Sequence, residues 1–211
     1  MSSIRTTSAI AAAALGVATL VSPSASADAS TTGTRSLAAV LAKDGNHFDH
    51  NWSDFDVVDR AAHAVLKAKP DSAVGVLAQG SKRVTAFLPT DRAFRRLVTD
   101  LTGKRPATER ATYRALTKAA NLDTIETVLL YHVVPGATIT YRQALKAGGA
   151  KLETALPGGE LGVRLRHHRV WLVDADKNDR NARVIPGLAN INKGNRQIAH
   201  GVDRVLRPVD L

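Results

Sequence analysis

The chain has 211 residues, 29 Lys and Arg against 19 Asp and Glu for a formal net charge of +10, no cysteine, and aromatic side chains at only 4% of positions. Disulfides and thiol chemistry are therefore excluded, packing alone must hold the fold, and the charge attracts polyanions. With so few aromatics among scattered basic residues, a stacking platform for specific single-stranded nucleic-acid recognition is not expected, which leaves anionic wall polymers, acidic polysaccharides and lipid headgroups as partner classes.

The opening stretch, MSSIRTTSAIAAAALGVATLVSPSASADAS, places Arg5 before an apolar run from Ile10 to Val21 and ends in Ala25, Ser26 and Ala27. Basic, apolar and small-residue regions in that order are a secretory signal peptide. The apolar run is too short for a bilayer of ~30 Å, which takes roughly 20 helical residues, so no transmembrane anchor is expected. Without cysteine there is no residue for a lipid anchor of that kind. The expected organisation is a signal peptide over 1–27, a flexible N-terminal segment over 28–46 and a single domain over 47–211. Loss of Arg5 lowers the net charge from +10 to +9 in the mature chain.

In SDFDVVDRAAHAVLKAK, Val58, Ala61, Ala62, Val65 and Leu66 recur at helical spacing, with Ser53 as the expected N-cap and Pro70 as the stop. A short helix follows near Ser72 to Gln79, and RVTAFLP reads as a buried strand. Thr90 is placed to cap the next helix, with Asp91 in its first turn. Two more helices are predicted around Thr108 to Ala120 and Asn121 to Tyr131, then an extended piece from Val133 to Thr140. Thr140 and Gln143 have the spacing of a capping box, and Gly148 and Gly149 end that helix. Beyond Gly149, the runs KLETAL, ELGVRLR, RVWLVD, ARVI and QIAHGVDRVL read as short antiparallel strands. Helices in one half and strands in the other predict an α+β fold.

Three segments, RVTAFLPTDRAFRRL (Arg83 to Leu97), LLYHVVPG (Leu129 to Gly136) and IAHGVDRVLRP (Ile198 to Pro208), resemble, in order and separation, the blocks of the fasciclin domain family. The resemblance spans roughly Phe48 to Pro208 and is to secreted bacterial fasciclin-like proteins. It implies a twisted β-sandwich wedge flanked by helices, a role in adhesion outside the cell, and no catalytic centre or cofactor. In animal members the tyrosine-histidine pair is discussed as a receptor contact, which makes Tyr131 and His132 candidate partner contacts. Two departures from the family pattern are the polar stretch NINKGNRQ before the terminal block and Gly201 where a β-branched residue is usual.

The residues themselves give Tyr131 and His132 different roles. Leu122, Ile125, Leu129 and His132 fall on one stripe, so His132 is expected to face the core as a hydrogen-bonded group at a helix end. Tyr131 points about a quarter turn away, with its ring partly outward and its hydroxyl wet. His47, Asp49, His50 and Asp54 offer nitrogen and oxygen ligands suited to zinc, but the two histidines precede Ser53, the expected cap of the first predicted helix, and a polar lead-in is preferred to a metal site. Asp174, Asp176 and Asn178 alternate as in a calcium loop, but Asp179 and Ile185 stand at its glycine and glutamate positions, so a turn is expected. No nucleophile elbow or phosphate loop is present.

The function expected is an adhesion or interaction module for cell-surface, wall or matrix components. A secreted hydrolase and a small-molecule carrier are the alternatives; the first would show converging titratable groups in a cleft and the second an enclosed apolar pocket. Arg164, Arg166 and Arg169, with the pairs Arg95-Arg96 and Lys104-Arg105, are the basic clusters expected to meet an anionic partner.

Overall fold

The computed structural model describes residues 32–209 except Asn46, and only the backbone of Asp44. The signal peptide expected over 1–27 lies outside the described residues. In chain order the elements are α1 (Leu37–Leu41), α2 (Asp56–Ala68), β1 (Val84–Pro89), α3 (Asp91–Thr102), α4 (Glu109–Ala119), α5 (Leu122–Tyr131), β2 (Val133–Pro135), α6 (Tyr141–Ala144), β3 (Lys151–Glu153), β4 (Glu160–Arg166), β5 (Arg169–Val173), β6 (Ala182–Arg183) and β7 (Gln197–Val202). The helix expected from Ser72 is a 3-10 turn over Ala73–Ala78, and the extended piece expected to reach Thr140 forms a strand only to Pro135.

The strands make two sheets, ordered β2-β1-β7 and β3-β4-β5-β6. Phe87, Val134 and Val202 from the first meet Leu161, Val163, Val170 and Leu172 from the second in one buried cluster, so the sheets form a sandwich. Helices α2 to α5 gather around a separate core of Val57, Val65, Phe94, Leu97, Leu116 and Leu129. The fold is α+β, as the segregation of elements along the chain implies. Among the described residues no helix is long and apolar enough to cross a membrane.

Most helix starts follow local chemistry. Thr90, Thr108 and Asn121 accept from the backbone N–H of Ala93, Ala111 and Thr124, and Thr140 with Gln143 completes the capping box. Ser53 does not cap α2. The cap position is Phe55, which offers no side-chain bond, and Asp91 Oδ1 accepts from Val57 N at 2.9 Å instead. A helix start is thus satisfied by a residue 34 positions further along the chain.

Two further expectations differ from the structure. The C-terminal strands were expected to be antiparallel, yet β7 runs parallel to β1, pairing Val84 with Gln197 through to Pro89 with Val202. A parallel neighbour needs a crossover, and here the crossover is most of the domain. The described part of 28–46 is not a loose lead-in. Leu37 is fully buried with Ala86, Leu88 and Ala199 beside it, and Leu37 N donates to Gln197 Oε1 at 2.8 Å. Asn192, from the NINKGNRQ stretch, accepts from Arg35 Nε and donates to Arg35 O, both at 2.8 Å. That polar stretch is therefore the clasp for the N-terminal strap. Gly80 completes it, because a Cβ there would lie 1.7 Å from Thr34 O.

Candidate functional site

His132 caps the C-terminus of α5, where the chain turns directly into β2. Its Nδ1 lies 2.7 Å from Val128 O and its Nε2 lies 2.9 Å from Leu206 N. Only the neutral ring with its proton on Nδ1 donates to the carbonyl and accepts from the amide. Burial holds its pKa down to about 4. The core role expected from the helical stripe is the one observed.

Tyr131 is a correction. Its ring is 1% exposed rather than partly outward, and its hydroxyl donates to Glu160 O at 2.8 Å rather than to water. Burial pushes the phenol up to about 12. The direct passage from α5 into β2 turns the ring under the sandwich, into the cluster of Leu161 and Leu172. Neither side chain of the pair offers surface to a partner in this arrangement.

The terminal block is equally inward. His200 lies in β7 with Nε2 2.8 Å from Ile139 O, and burial lowers its pKa. Gly201 replaces the usual β-branched residue because a Cβ there would come within 2.6 Å of Leu188 Cβ and 3.3 Å of Phe55 Cζ.

The histidines of the polar lead-in do not come together with its acids. His47 and His50 are both exposed, and His50 contributes its backbone N–H to Glu109 Oε2 at 3.0 Å. The acids that gather are Asp49, Asp56 and Glu109, and Asp54, Asp56 and Asp91, each set within 4.8 Å. These are hard oxygen donors, the type that suits magnesium or calcium. Asp56, Asp91 and Glu109 are the first residues of α2, α3 and α4, so three positive helix ends account for their gathering. Burial pushes the Asp91 carboxyl up to about 8, with Asp54 and Asp56 adding to the effect.

The calcium-like spacing resolves into a turn and an ion pair. Asp176 Oδ1 accepts from the N–H groups of Asn178 and Asp179, both at 2.9 Å, and its Oδ2 accepts from Arg207 Nη1 at 3.0 Å. Asp174 accepts from Arg207 N, and burial pushes its carboxyl up to about 6.

The exposed chemistry lies on the β4-β5 hairpin. Alternation turns Leu161 and Val163 inward and Arg164 and Arg166 outward. His167 and His168, with φ of 49° and 57°, make the two-residue turn, whose left-handed pair matches the twist of the strands. Register then sets Arg166 opposite Arg169 and Arg164 opposite Trp171, and Trp171 faces Arg183 on β6. All three arginines named from the sequence thus share one exposed face. Sequence reasoning missed Trp171, Arg180 and Arg183. Period-two alternation in RVWLVD would have placed Trp171 beside Arg169, but nothing local joins β6 to that face.

An open concavity of about 450 Å³ on this face is lined by Arg164, Arg166, His167, Trp171 and Arg180. The Arg183 guanidinium stands 5.9 Å from the centre of the Trp171 ring. An apolar pocket does exist among the helices, lined by Ala61, Phe94, Leu97, Leu116 and Ile125, but its volume is about 130 Å³, well under the ~300 Å³ at which small-molecule sites begin.

The sequence model of the fasciclin domain matches residues 61–208. No curated protein matches the chain. Among solved structures it is similar to a FAS1 domain pair from the insect cell adhesion molecule Fasciclin I, at 16% identity and a TM-score of 0.47, over 70% of this chain and 44% of that one. The chain therefore spans less than half the length of that pair. Fasciclin domains are associated with cell adhesion or interaction, are typically extracellular or at the cell surface, and are generally non-enzymatic. With well over half of its length matched, the chain belongs to the fasciclin domain family.

Proposed function

We propose that this protein is a secreted adhesion module that holds an anionic polymer of a cell surface, wall or matrix on the outer face of the β4-β5 hairpin. The observation that carries the reading is the juxtaposition of Arg164, Arg166 and Arg169 on one exposed face. Like charges directly opposite across a sheet destabilise it, and Arg166 and Arg169 form such a pair. None of the three is in an ion pair among the described residues. A bound anion would relieve the repulsion. The face is open and basic, unlike the enclosed apolar site of a carrier, and the acids that gather elsewhere are explained by helix ends rather than by a cleft.

The reading requires export. Cleavage after Ala27 leaves Asp28 as the first residue, and N-terminal sequencing of protein from the medium should find it; an intact Met1 in exported protein would refute the signal peptide.

Binding to a retained wall or matrix fraction should fall steeply as sodium chloride is raised, because solvated arginines are screened over a Debye length of about 8 Å at physiological salt. Changing Arg164, Arg166 and Arg169 together to Gln should remove most of it while leaving the melting curve in place. Salt-insensitive binding, or full binding by the triple variant, would refute this face as the site.

A further inference from the structure

A second basic surface lies on α3, and the two are joined. Arg92 and Arg96 line a concavity of about 380 Å³ together with Trp52 and Arg183. They also line an adjoining one of about 320 Å³ that reaches Arg95 and Arg105. The Arg95 guanidinium lies 4.1 Å from the centre of the Trp52 ring, close enough for a cation-π contact that fixes both groups. Arg183 is the shared member. It borders the α3 concavity and also stands over Trp171 on the hairpin face. Asp203 holds the junction, accepting from Arg183 N at 2.8 Å through its carboxylate and from Arg96 Nη1 at 2.7 Å through its carbonyl. The acid that lines the hairpin concavity, Asp179, is occupied by Arg204 at 2.8 Å. Both tryptophans of the chain, Trp52 and Trp171, therefore lie within one run of arginines.

We infer that the α3 surface and the hairpin face form one continuous track for an acidic polysaccharide, a chain of sugar rings bearing carboxylate or sulfate groups. The inference rests on the hairpin reading above and extends it in length and in chemistry. Guanidinium forks pair with carboxylate or sulfate oxygens two at a time. Indole faces carry negative electrostatic character and meet the weakly positive C–H face of a sugar ring. Concavities of about 380 and 450 Å³ fall within the volume range of small-ligand sites. A nucleic-acid groove would instead supply aromatic rings for successive bases, whereas here each concavity has one. The low aromatic content, which argued against stacking from the sequence, is outweighed by where the fold puts both tryptophans.

The test uses the mature chain, with polygalacturonate as probe, polyphosphate of matched charge and single-stranded DNA as competing polyanions, and dextran as the neutral control. Because the only two tryptophans lie on the track, intrinsic fluorescence reports contact without a substitution. Polygalacturonate should change the emission and bind more tightly than polyphosphate or DNA, and dextran should do neither. Arg92→Gln with Arg105→Gln, two side chains that line the second α3 concavity, should weaken polygalacturonate binding several-fold with unchanged circular dichroism. Trp171→Leu should lose part of the emission change, and a melting curve separates that result from misfolding. Binding that the Arg92 and Arg105 double variant leaves untouched but the hairpin triple variant abolishes would overturn the track and leave the hairpin reading standing. Equal binding of all three polyanions with unchanged emission would overturn the saccharide assignment. Retention of none of them would sink both readings together.

Discussion

Changing Arg207 to Met is expected to remove about 3 to 5 kcal/mol of folding stability, the cost of stranding a buried charge. The Arg207 side chain is 7% exposed and that of Asp176 1%. One guanidinium nitrogen donates to Asp176 Oδ2 and the other to Asp100 Oδ2, both at 3.0 Å. This single side chain ties the 174–180 loop to α3, and its own backbone N–H is held by Asp174 at 2.9 Å. Methionine keeps much of the volume and discards the charge, leaving the Asp176 carboxylate without its counterion. Asp176→Asn in the Arg207→Met background should recover most of the loss. Asparagine retains an oxygen for the Asn178 and Asp179 amides and carries no charge to strand. Urea denaturation of the three variants measures this. A loss under about 1 kcal/mol for Arg207→Met, or no recovery in the double variant, would show that the Arg207–Asp176 pair does not hold the loop to α3.

His132→Ala should cost on the order of 1 to 3 kcal/mol at pH 7 through the orphaned Leu206 amide, and more once the void is counted. The pH dependence makes the prediction sharper. Burial sets the folded pKa near 4 against an ordinary 6.5, so between those values the unfolded chain binds the proton and the folded one does not. Stability from this group is therefore fully present above 6.5 and drains away as pH falls toward 4, by roughly 3 kcal/mol at the lower end. The alanine variant has nothing to protonate there. The stability gap between wild type and variant should narrow on acidification from pH 7 to 4 and close near the bottom of the window. A gap that stays constant across those pH values would mean that the ring titrates alike in the folded and unfolded chain and is therefore solvated in the folded protein.

The resemblance of three short blocks to the fasciclin family was readable because each block is local and their order is kept. Tyr131 and His132 show where such reading ends. Both sit in the same block, and the helical stripe correctly turned His132 inward, but the stripe treats α5 as an isolated helix. It could not register that the sandwich closes over the opposite side as well, burying Tyr131. The arginines show the reverse case. Arg164, Arg166 and Arg169 were legible as a cluster because they lie within six residues of one another in the sequence. Their neighbours Trp171 and Arg183 became part of the same surface only through cross-strand register.

By itself the sequence determined the helix starts whose caps lie within one turn, at Thr90, Thr108, Asn121 and Thr140. It also determined the segregation of helices from strands, and the absence of any disulfide. In each case the physical cause acts between residues a few positions apart. Only the tertiary structure decided that Asp91 caps α2, that β7 lies parallel to β1, and that Leu37 docks on Gln197 across 160 residues. It also decided that Arg183 joins two arginine surfaces. Such contacts require closure of long stretches of chain, whose entropy grows only slowly with length. No local pattern encodes which distant partner fills the gap, and the choice falls to packing and to buried polar groups that must find one another.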